Sequence, residues 1–211
     1  VVERASVSRE TTSQVWRDAG KRIADIIVAA AGLAASLPCW ACVSLALLLD
    51  DGLPVLYRQK RVGRFGRVFT ICKFRTMIKD AERHTGPVLA AQDDRRITRV
   101  GRLLRKTALD EVPQLINIFK GDMSWVGPRP ERPEFVARFA SEIPGYARRH
   151  QVRPGLTGAA QVYGRYFSDP AHKLRYDLYY VEQRSLLLDL RLFVNSWLIT
   201  FKARWDAAAE R

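Results

Sequence analysis

Cysteine is scarce in this chain, with three among 211 residues. Cys39, Cys42 and Cys72 are too few and too unevenly placed for the disulfide framework of a small secreted domain, and a reducing compartment fits them better. Cys39 and Cys42 form a C-x-x-C, but they sit inside an apolar run without a cationic setting or further ligands. Packing is therefore expected of them rather than redox or zinc chemistry. Histidine is equally sparse, and His84, His150 and His172 lack ligand spacing. Internal repeats and long low-complexity stretches are missing, so a solenoid or repeat array is not expected. Residues 1–14 are polar and have no long apolar core, so no secretory signal is expected there, and residues 1–20 read as a polar segment or linker.

Acidic charge is also short. Asp plus Glu number 22 against 35 Lys plus Arg, a net charge of +13, and 27 of the 35 basic residues are arginine. Arginine's planar fork pairs bidentately with phosphate, so an anionic partner is expected. Nucleic acid, an anionic membrane surface and a phosphorylated substrate all satisfy that expectation. Charged residues at 27% and apolar residues at 47% are close to a globular average, which excludes collagen, a coiled coil and wholesale disorder. The length suits one domain, or a domain with an appended segment.

What the sequence does have is a long apolar run. Residues 26–49 carry no charge, and Asp25 precedes and Asp50 follows them. About 20 helical residues cross a bilayer core, and a domain this small could hardly bury such a helix on every side. Pro38 lies near the middle, where it removes a backbone hydrogen bond and predicts a bend. Arg17, Lys21 and Arg22 flank the run on one side and Arg58, Lys60 and Arg61 on the other, so the charge bias draws both ends to the cytoplasm. The expectation is a re-entrant membrane helix over residues 21–51 broken at Pro38, with Ser36 bonding the backbone groups that the proline frees. A kinked full span and a buried soluble helix are the alternatives.

Residues 54–62 and 67–75 are rich in β-branched and aromatic residues and flank Gly63-Arg64-Phe65-Gly66, the pattern of a β-hairpin. Period two places Phe69, Ile71, Lys73 and Arg75 on one face, so Lys73 and Arg75 point together. Two neighbouring cations suit a diphosphate, or they form a solvated face. The Gly-x-x-Gly turn also matches an RNA-binding KH loop, although that loop needs flanking helices rather than strands.

Residues 94–121 hold the densest chemistry. Val112, Leu115, Ile116 and Phe119 mark one apolar helix face, and Lys120-Gly121 ends it. Pro113 must then lie in the first turn, which puts Asp110 and Glu111 beside the helix N-terminus. Thr107-x-x-Asp110 has the form of a capping box, a purely structural role. Arg99, Arg102, Arg105 and Lys106 crowd the same segment, however, and basic side chains at a helix start gather phosphate. A carboxylate can attack phosphorus to give an acyl phosphate, with a divalent metal neutralising the anions. A metal-dependent phosphoryl or phosphosugar transferase and a nucleic-acid backbone binder both fit this spacing, and the apolar run favours the first.

The ordered set of motifs resembles the bacterial sugar transferases, the monotopic phosphoglycosyl transferases that load a sugar phosphate onto a polyprenyl phosphate. The motifs are the apolar segment with Pro38, Tyr57-Arg58-Gln59 to Gly63, Lys73-Phe74-Arg75-Thr76-Met77 and Arg105-Lys106-Thr107 to Asn117. Gly121-Asp122-Met123-Ser124, Val126-Gly127-Pro128-Arg129-Pro130, Arg153-Pro154-Gly155-Leu156-Thr157-Gly158 and Gly164-Arg165 follow in the family's order. The resemblance implies that Asp110 attacks the β-phosphate of a UDP-sugar, that UMP leaves, and that polyprenyl phosphate then takes the phosphosugar from Asp110. It further implies that Asp110 and Glu111 hold Mg2+ and that Lys73, Arg75, Arg105, Arg129 and Arg165 line the phosphate and nucleotide region. Two positions depart from the family pattern: Leu37 rather than Ser precedes Pro38, and Arg95 stands where Pro is common.

The expected architecture is α/β: mostly helical with a small β-hairpin or sheet, an N-terminal re-entrant membrane helix and amphipathic interfacial helices. Helices are expected over residues 176–188 and 190–201, with Trp197, Phe201 and Trp205 suited to a headgroup boundary. Residues 52–211 form the catalytic domain, on the cytoplasmic face of a bacterial inner membrane, and membrane lipid is a partner. Gly127-Pro128-Arg129-Pro130 is either a rigid functional element or a plain surface loop. The rival functions are a membrane-anchored nucleic-acid-binding module and an inactive assembly scaffold. The first predicts steep salt dependence of binding to DNA or RNA, whereas the enzyme needs no nucleic acid and releases UMP.

Overall fold

With no charge or glycine pair to interrupt it, the apolar run is helical throughout. In the computed structural model, which describes residues 12–83, 86, 94–164 and 169–201, α1 (Thr12–Asp51) is one helix of 40 residues. At 1.5 Å per residue that is about 60 Å along the axis. The expected break at Pro38 is not seen: helical structure continues through it. Ser36 also differs from expectation. Pro38 frees the Ala34 carbonyl, but the Ser36 hydroxyl donates to Leu33 O at 3.1 Å and accepts from Trp40 Nε1 at 3.2 Å. It thereby ties the turn after the proline to the turn before it.

Both ends of α1 are fastened to the same folded body. Near the start, Asp25 is buried and accepts from the Ser124 hydroxyl and the Trp125 N–H, each at 3.1 Å. Arg22 donates to the carbonyls of Ile118 and Phe119 at 2.6 and 2.8 Å, a cation on the negative end of a helix. At the far end Gly52, with φ +69°, closes the helix, and Arg75 donates to the carbonyls of Asp51 and Gly52 at 2.9 and 2.7 Å. Between these anchors Ile23, Ile27, Leu37, Leu45 and Leu49 are exposed, and only 11% of the most apolar stretch is buried. That exposure overturns the buried soluble helix.

The expected hairpin is present. Strand β1 (Leu56–Val62) pairs antiparallel with β2 (Val68–Phe74), Tyr57 opposite Lys73, around a turn in which Phe65 and Gly66 take positive φ. Strands on both sides of that turn rule out the KH loop. Alternation along β2 does not leave one face to solvent. Ile71 packs with Ala29, Leu115 and Ile118, while Phe74 packs with Val43, Leu47 and Leu104, so helices cover both faces.

Helix α2 (Arg99–Lys106) is capped by the Thr98 side chain, and α3 (Gln114–Lys120) ends at Gly121 with φ +95°. The buried face of α3 is not the expected one. Leu115 and Ile118 are buried together with Gln114 and Asn117, and Phe119 is exposed. The reason is polar: the Asn117 amide accepts from Cys72 N at 3.1 Å and donates to Thr70 O at 2.8 Å, serving the edge of β2 as a partner strand would.

Short strands β3 (Ser124–Val126) and β4 (Gly155–Thr157) run parallel. Their close approach needs glycine, because a Cβ on Gly155 would stand 2.1 Å from Gly127 N. Around them lie α4 (Pro133–Glu142), α5 (Ala159–Tyr163), α6 (Pro170–Gln183) and α7 (Leu186–Phe201). The break between α6 and α7 falls at Arg184-Ser185 rather than at Asp189, since the Ser185 hydroxyl accepts from Leu188 N at 3.2 Å and starts α7. Val126, Tyr180, Val181 and Leu192 form the core here, while Leu187, Leu190 and Trp197 on α7 are exposed. Trp205 lies outside the described residues. Gly155→Ala is expected to destabilise the protein by about 2 kcal/mol or more through overpacking against backbone, read as a lower melting midpoint in detergent, with a conservative Val194→Ile change on exposed α7 as the unaffected control.

Candidate active site

The placing of two adjacent carboxylates, one buried and one half-buried, begins with a reversal of the chain. Helix α2 stops at Lys106, Ala108 takes φ +56°, and Leu109–Glu111 form a single 3-10 turn that leads through Val112 and Pro113 into α3. The capping box does not form. The Thr107 hydroxyl turns back to the carbonyls of Leu103 and Leu104 at 2.9 and 3.2 Å, and no side chain caps this turn or α3. Asp110 is instead buried, and among the described residues no hydrogen bond reaches its carboxylate. A helix cap would be spent on backbone; this carboxylate is left available.

Glu111 is held differently. Its Oε1 receives Lys73 Nζ at 2.6 Å and an Arg129 Nη at 2.8 Å. Lys73 comes from β2, and Arg129 comes from the Gly127-Pro128-Arg129-Pro130 loop that follows β3. In that loop Gly127, Pro128 and Pro130 are buried and only Arg129 is partly exposed, so the surface-loop reading is overturned. Arg105 on α2 donates through Nε to the Thr76 hydroxyl at 2.8 Å. That contact depends on Gly101, where a Cβ would come within 2.2 Å of the Thr76 carbonyl oxygen.

Electrostatics separate the two acids. Burial pushes the Asp110 carboxyl up to about 6, and neighbouring Glu111 adds to the rise, while Lys73, Arg105 and Arg129 oppose it. Burial would also raise Glu111, but Arg129 and Lys73 together outweigh it and hold that carboxyl well below the usual range. Burial draws Lys73 below its ordinary value, against the pull of Glu111. Asp110 is therefore the acid more readily protonated near neutrality, and Glu111 is the one held ionised.

Of the residues expected from the sequence, the structure brings Asp110, Glu111, Lys73 and Arg129 together, with Arg105 close enough to act on Asp110 through space. Arg75 is directed elsewhere, to the end of α1, because the last helical carbonyls and the Asp51 carboxylate at 3.1 Å take its fork. Arg165 lies outside the described residues. Ser36 and Pro38 belong to α1 and not to the dyad. Thr76, which fixes Arg105, stood in the sequence only as a member of the Lys73–Met77 motif, and Arg149, which bonds the Arg129 carbonyl at 2.9 Å, carried no signal there, since each role depends on a partner far along the chain.

Among the described residues no cluster of three or more His, Cys, Asp or Glu could hold a metal ion. Magnesium commonly takes one or two carboxylates and completes its shell with water and substrate phosphate. The dyad suits that shared mode, since Asp110 accepts no hydrogen bond among the described residues, which also offer no cage built by protein alone.

A family model described as bacterial sugar transferase matches residues 16–203. A protein of Aeromonas hydrophila named UDP-N-acetylgalactosamine-undecaprenyl-phosphate N-acetylgalactosaminephosphotransferase is 42% identical over 185 residues, which cover 86% of this chain and 42% of that protein. Two proteins named UDP-glucose:undecaprenyl-phosphate glucose-1-phosphate transferase are also similar. That of Caulobacter vibrioides is 41% identical over 186 residues (85% of this chain, 68% of the relative). That of Escherichia coli K12 is 39% identical over 194 residues (90% of this chain, 41% of the relative). The chain thus spans less than half the length of the Aeromonas and Escherichia proteins.

A raised carboxyl has a signed consequence. The folded protein binds the Asp110 proton more tightly than the unfolded chain, so the stability this contributes is present below pH about 4 and lost as pH rises through about 6. Asp110→Asn, which mimics the protonated form, is expected to melt at a higher temperature than the wild type at pH 8 and to lose that advantage by pH 4.

Proposed function

The chain belongs to the bacterial sugar transferase family, and on that premise we propose that it moves a sugar 1-phosphate from a UDP-sugar to a polyprenyl phosphate through a covalent aspartyl intermediate. The observation that carries this reading is the buried Asp110, which receives no hydrogen bond among the described residues, beside a Glu111 whose charge is balanced by Lys73 and Arg129. A carboxyl near 6 is a better nucleophile than an ordinary aspartate and is still mostly ionised at pH 7.

In the first step an Asp110 carboxylate oxygen bonds to the β-phosphorus. The bond from that phosphorus to the bridging oxygen breaks, and UMP leaves with the electron pair. In the second step an oxygen of polyprenyl phosphate attacks the same phosphorus, which frees the Asp110 carboxylate and forms the polyprenyl diphosphate sugar. Lys73, Arg105 and Arg129 present positive charge to the diphosphate, and Arg165 is proposed to join them on the nucleotide side. Asp110 and Glu111 would hold Mg2+, which supplies charge neutralisation at the diphosphate. Glu111, kept ionised and fixed by two cations, keeps Asp110 from titrating as an isolated acid.

The same reading puts the chain on the cytoplasmic face of a bacterial inner membrane, with α1 re-entrant through a bend at Pro38 that leaves the helix continuous, and α7 at the interface. Asp25 and Asp50, at opposite ends of the apolar run, both engage one folded body, the latter by accepting Val100 N at 3.1 Å. A helix that crossed the bilayer would have to pull either the Asp25 end or the Asp50 end away from that body. In a variant freed of its native cysteines, Ala19→Cys and Leu53→Cys are each expected to react with an impermeant thiol reagent in inverted vesicles and not in intact cells; labelling of one site from each side would establish a full span.

Intact mass after incubation with magnesium and a panel of UDP-sugars, without acceptor, tests the chemistry. The wild type is expected to gain one sugar phosphate, lost again on adding polyprenyl phosphate, whereas Asp110→Asn gains nothing. UMP released only when donor and acceptor are both present, with no adduct, would replace the covalent route by direct displacement.

A further inference from the structure

The Arg129 side chain can grip Glu111 only while its own backbone stays in place, and the loop that carries it has an unusual difficulty. Pro128 and Pro130 have no N–H, so the loop can be held almost solely through its carbonyl oxygens. The structure holds four consecutive ones. Pro128 O accepts from Gly155 N at 3.0 Å, Arg129 O from Arg149 Nη2 at 2.9 Å, Pro130 O from Arg61 Nη1 at 3.0 Å and Glu131 O from Val62 N at 2.9 Å. Two of these bonds are main-chain contacts of β1 and β4. The other two come from arginine side chains.

Arg149 is itself over-determined. Its Nε donates to Asp177 Oδ2 at 2.8 Å, its Nη1 to the Tyr146 hydroxyl at 2.9 Å, and its Nη2 lies 2.7 Å from the same Asp177 oxygen. The side chains of Arg149 and Asp177 are 5% and 2% exposed. A buried ion pair is a poor source of net stability against an apolar pair of the same shape, yet it fixes a planar fork in one orientation. Here the fork, held by Asp177 and Tyr146, is aimed through Nη2 at the Arg129 carbonyl.

We propose that Arg149, locked by Asp177, and Arg61 are positioning residues for Arg129: they clamp the carbonyls of the proline-flanked loop so that the Arg129 guanidinium stays on Glu111. Neither touches the reacting atoms. The proposal rests on the reading of Asp110 and Glu111 as the reacting dyad, and it explains why two arginines and an aspartate from β1, the 3-10 turn at Tyr146–Gln151 and α6 converge behind a short loop.

The test uses Arg149→Gln with Asp177→Asn, which removes both buried charges at once and leaves neither unpaired, together with Arg61→Gln as a milder variant that leaves the buried pair intact. Arg148→Gln, at a surface pair whose side chains are both 55% exposed, is the control expected to match the wild type. In UMP release, the double variant is expected to lose about 10²-fold in kcat/KM, the scale of an ångström-sized misplacement. The double variant and Arg129→Gln are expected to show the same split of the loss between kcat and KM, because both take the guanidinium away from Glu111. Adding Arg129→Gln to the double variant is expected to cost little more, since all three changes remove one interaction. Losses that add in full, with a different split between kcat and KM, would overturn the proposal and leave Arg149 merely structural.

Hydrogen exchange supplies an arm independent of chemistry. Amides of Gly127, Arg129 and Glu131 are expected to exchange faster in both the double variant and Arg61→Gln than in the wild type; unchanged exchange overturns the clamp. Wild type that releases no UMP while the loop still loosens in the variants would sink the functional reading and keep the anchoring of Arg129.

Discussion

Two cations meeting on one oxygen of Glu111 is the interaction from which the rest of the site follows. Lys73, Arg129 and Glu111 arrive from a strand, a proline-bound loop and a 3-10 turn, and they make a half-buried cluster with one surplus positive charge. A lone buried carboxylate would be costly and would protonate; one shared by two cations stays ionised. Only beside such a cluster can a second carboxylate, Asp110, be buried with no hydrogen bond among the described residues and still ionise near neutrality. Remove the surplus charge and the two adjacent acids repel, which would leave one of them neutral at pH 7.

Holding three segments on one oxygen requires a rigid frame, and the frame is unusually indirect. Asn117 joins α3 to the outer edge of β2 in place of a third strand, so the turn carrying the dyad and the strand carrying Lys73 move as one unit. Gly101 and Gly155 allow backbones to approach where any side chain would intervene. Helix α1 lies along this frame, packing Ala29 against Leu115 and Val43 and Leu47 near Phe74. It presents its other side as exposed apolar surface. The helix suited to a membrane is therefore also a brace for the catalytic body, which sets the dyad at a fixed distance from the apolar face.

Much of this was legible in advance. The hairpin follows from β-branched runs around Gly63 and Gly66, the apolar segment from the absence of charge, and the placement of Asp110 and Glu111 from the demand that Pro113 lie at a helix start. What misled was locality. Lys73 and Arg75 share a strand face by period two, yet Arg75 answers to the free carbonyls at the end of α1. Thr107 and Asp110 have the spacing of a capping box, yet the left-handed Ala108 between them turns the carboxylate away from the helix. Phe119 completes an apolar stripe on α3, yet Asn117 is turned inward because β2 needed hydrogen-bond partners.

By itself the sequence determined which groups exist and which short segments they ride on: an apolar helix with cationic flanks, a basic hairpin, and an acid pair at a helix start. Those depend on composition and on contacts within a few residues. Tertiary structure alone decided which acid is paired with two cations and which has no hydrogen bond among the described residues, which arginines reach the dyad, and that Arg149 and Asp177 stand behind Arg129. Such assignments turn on distances between residues up to dozens of positions apart, and on burial that converts a modest charge difference into two opposite titration behaviours. No local periodicity encodes either quantity.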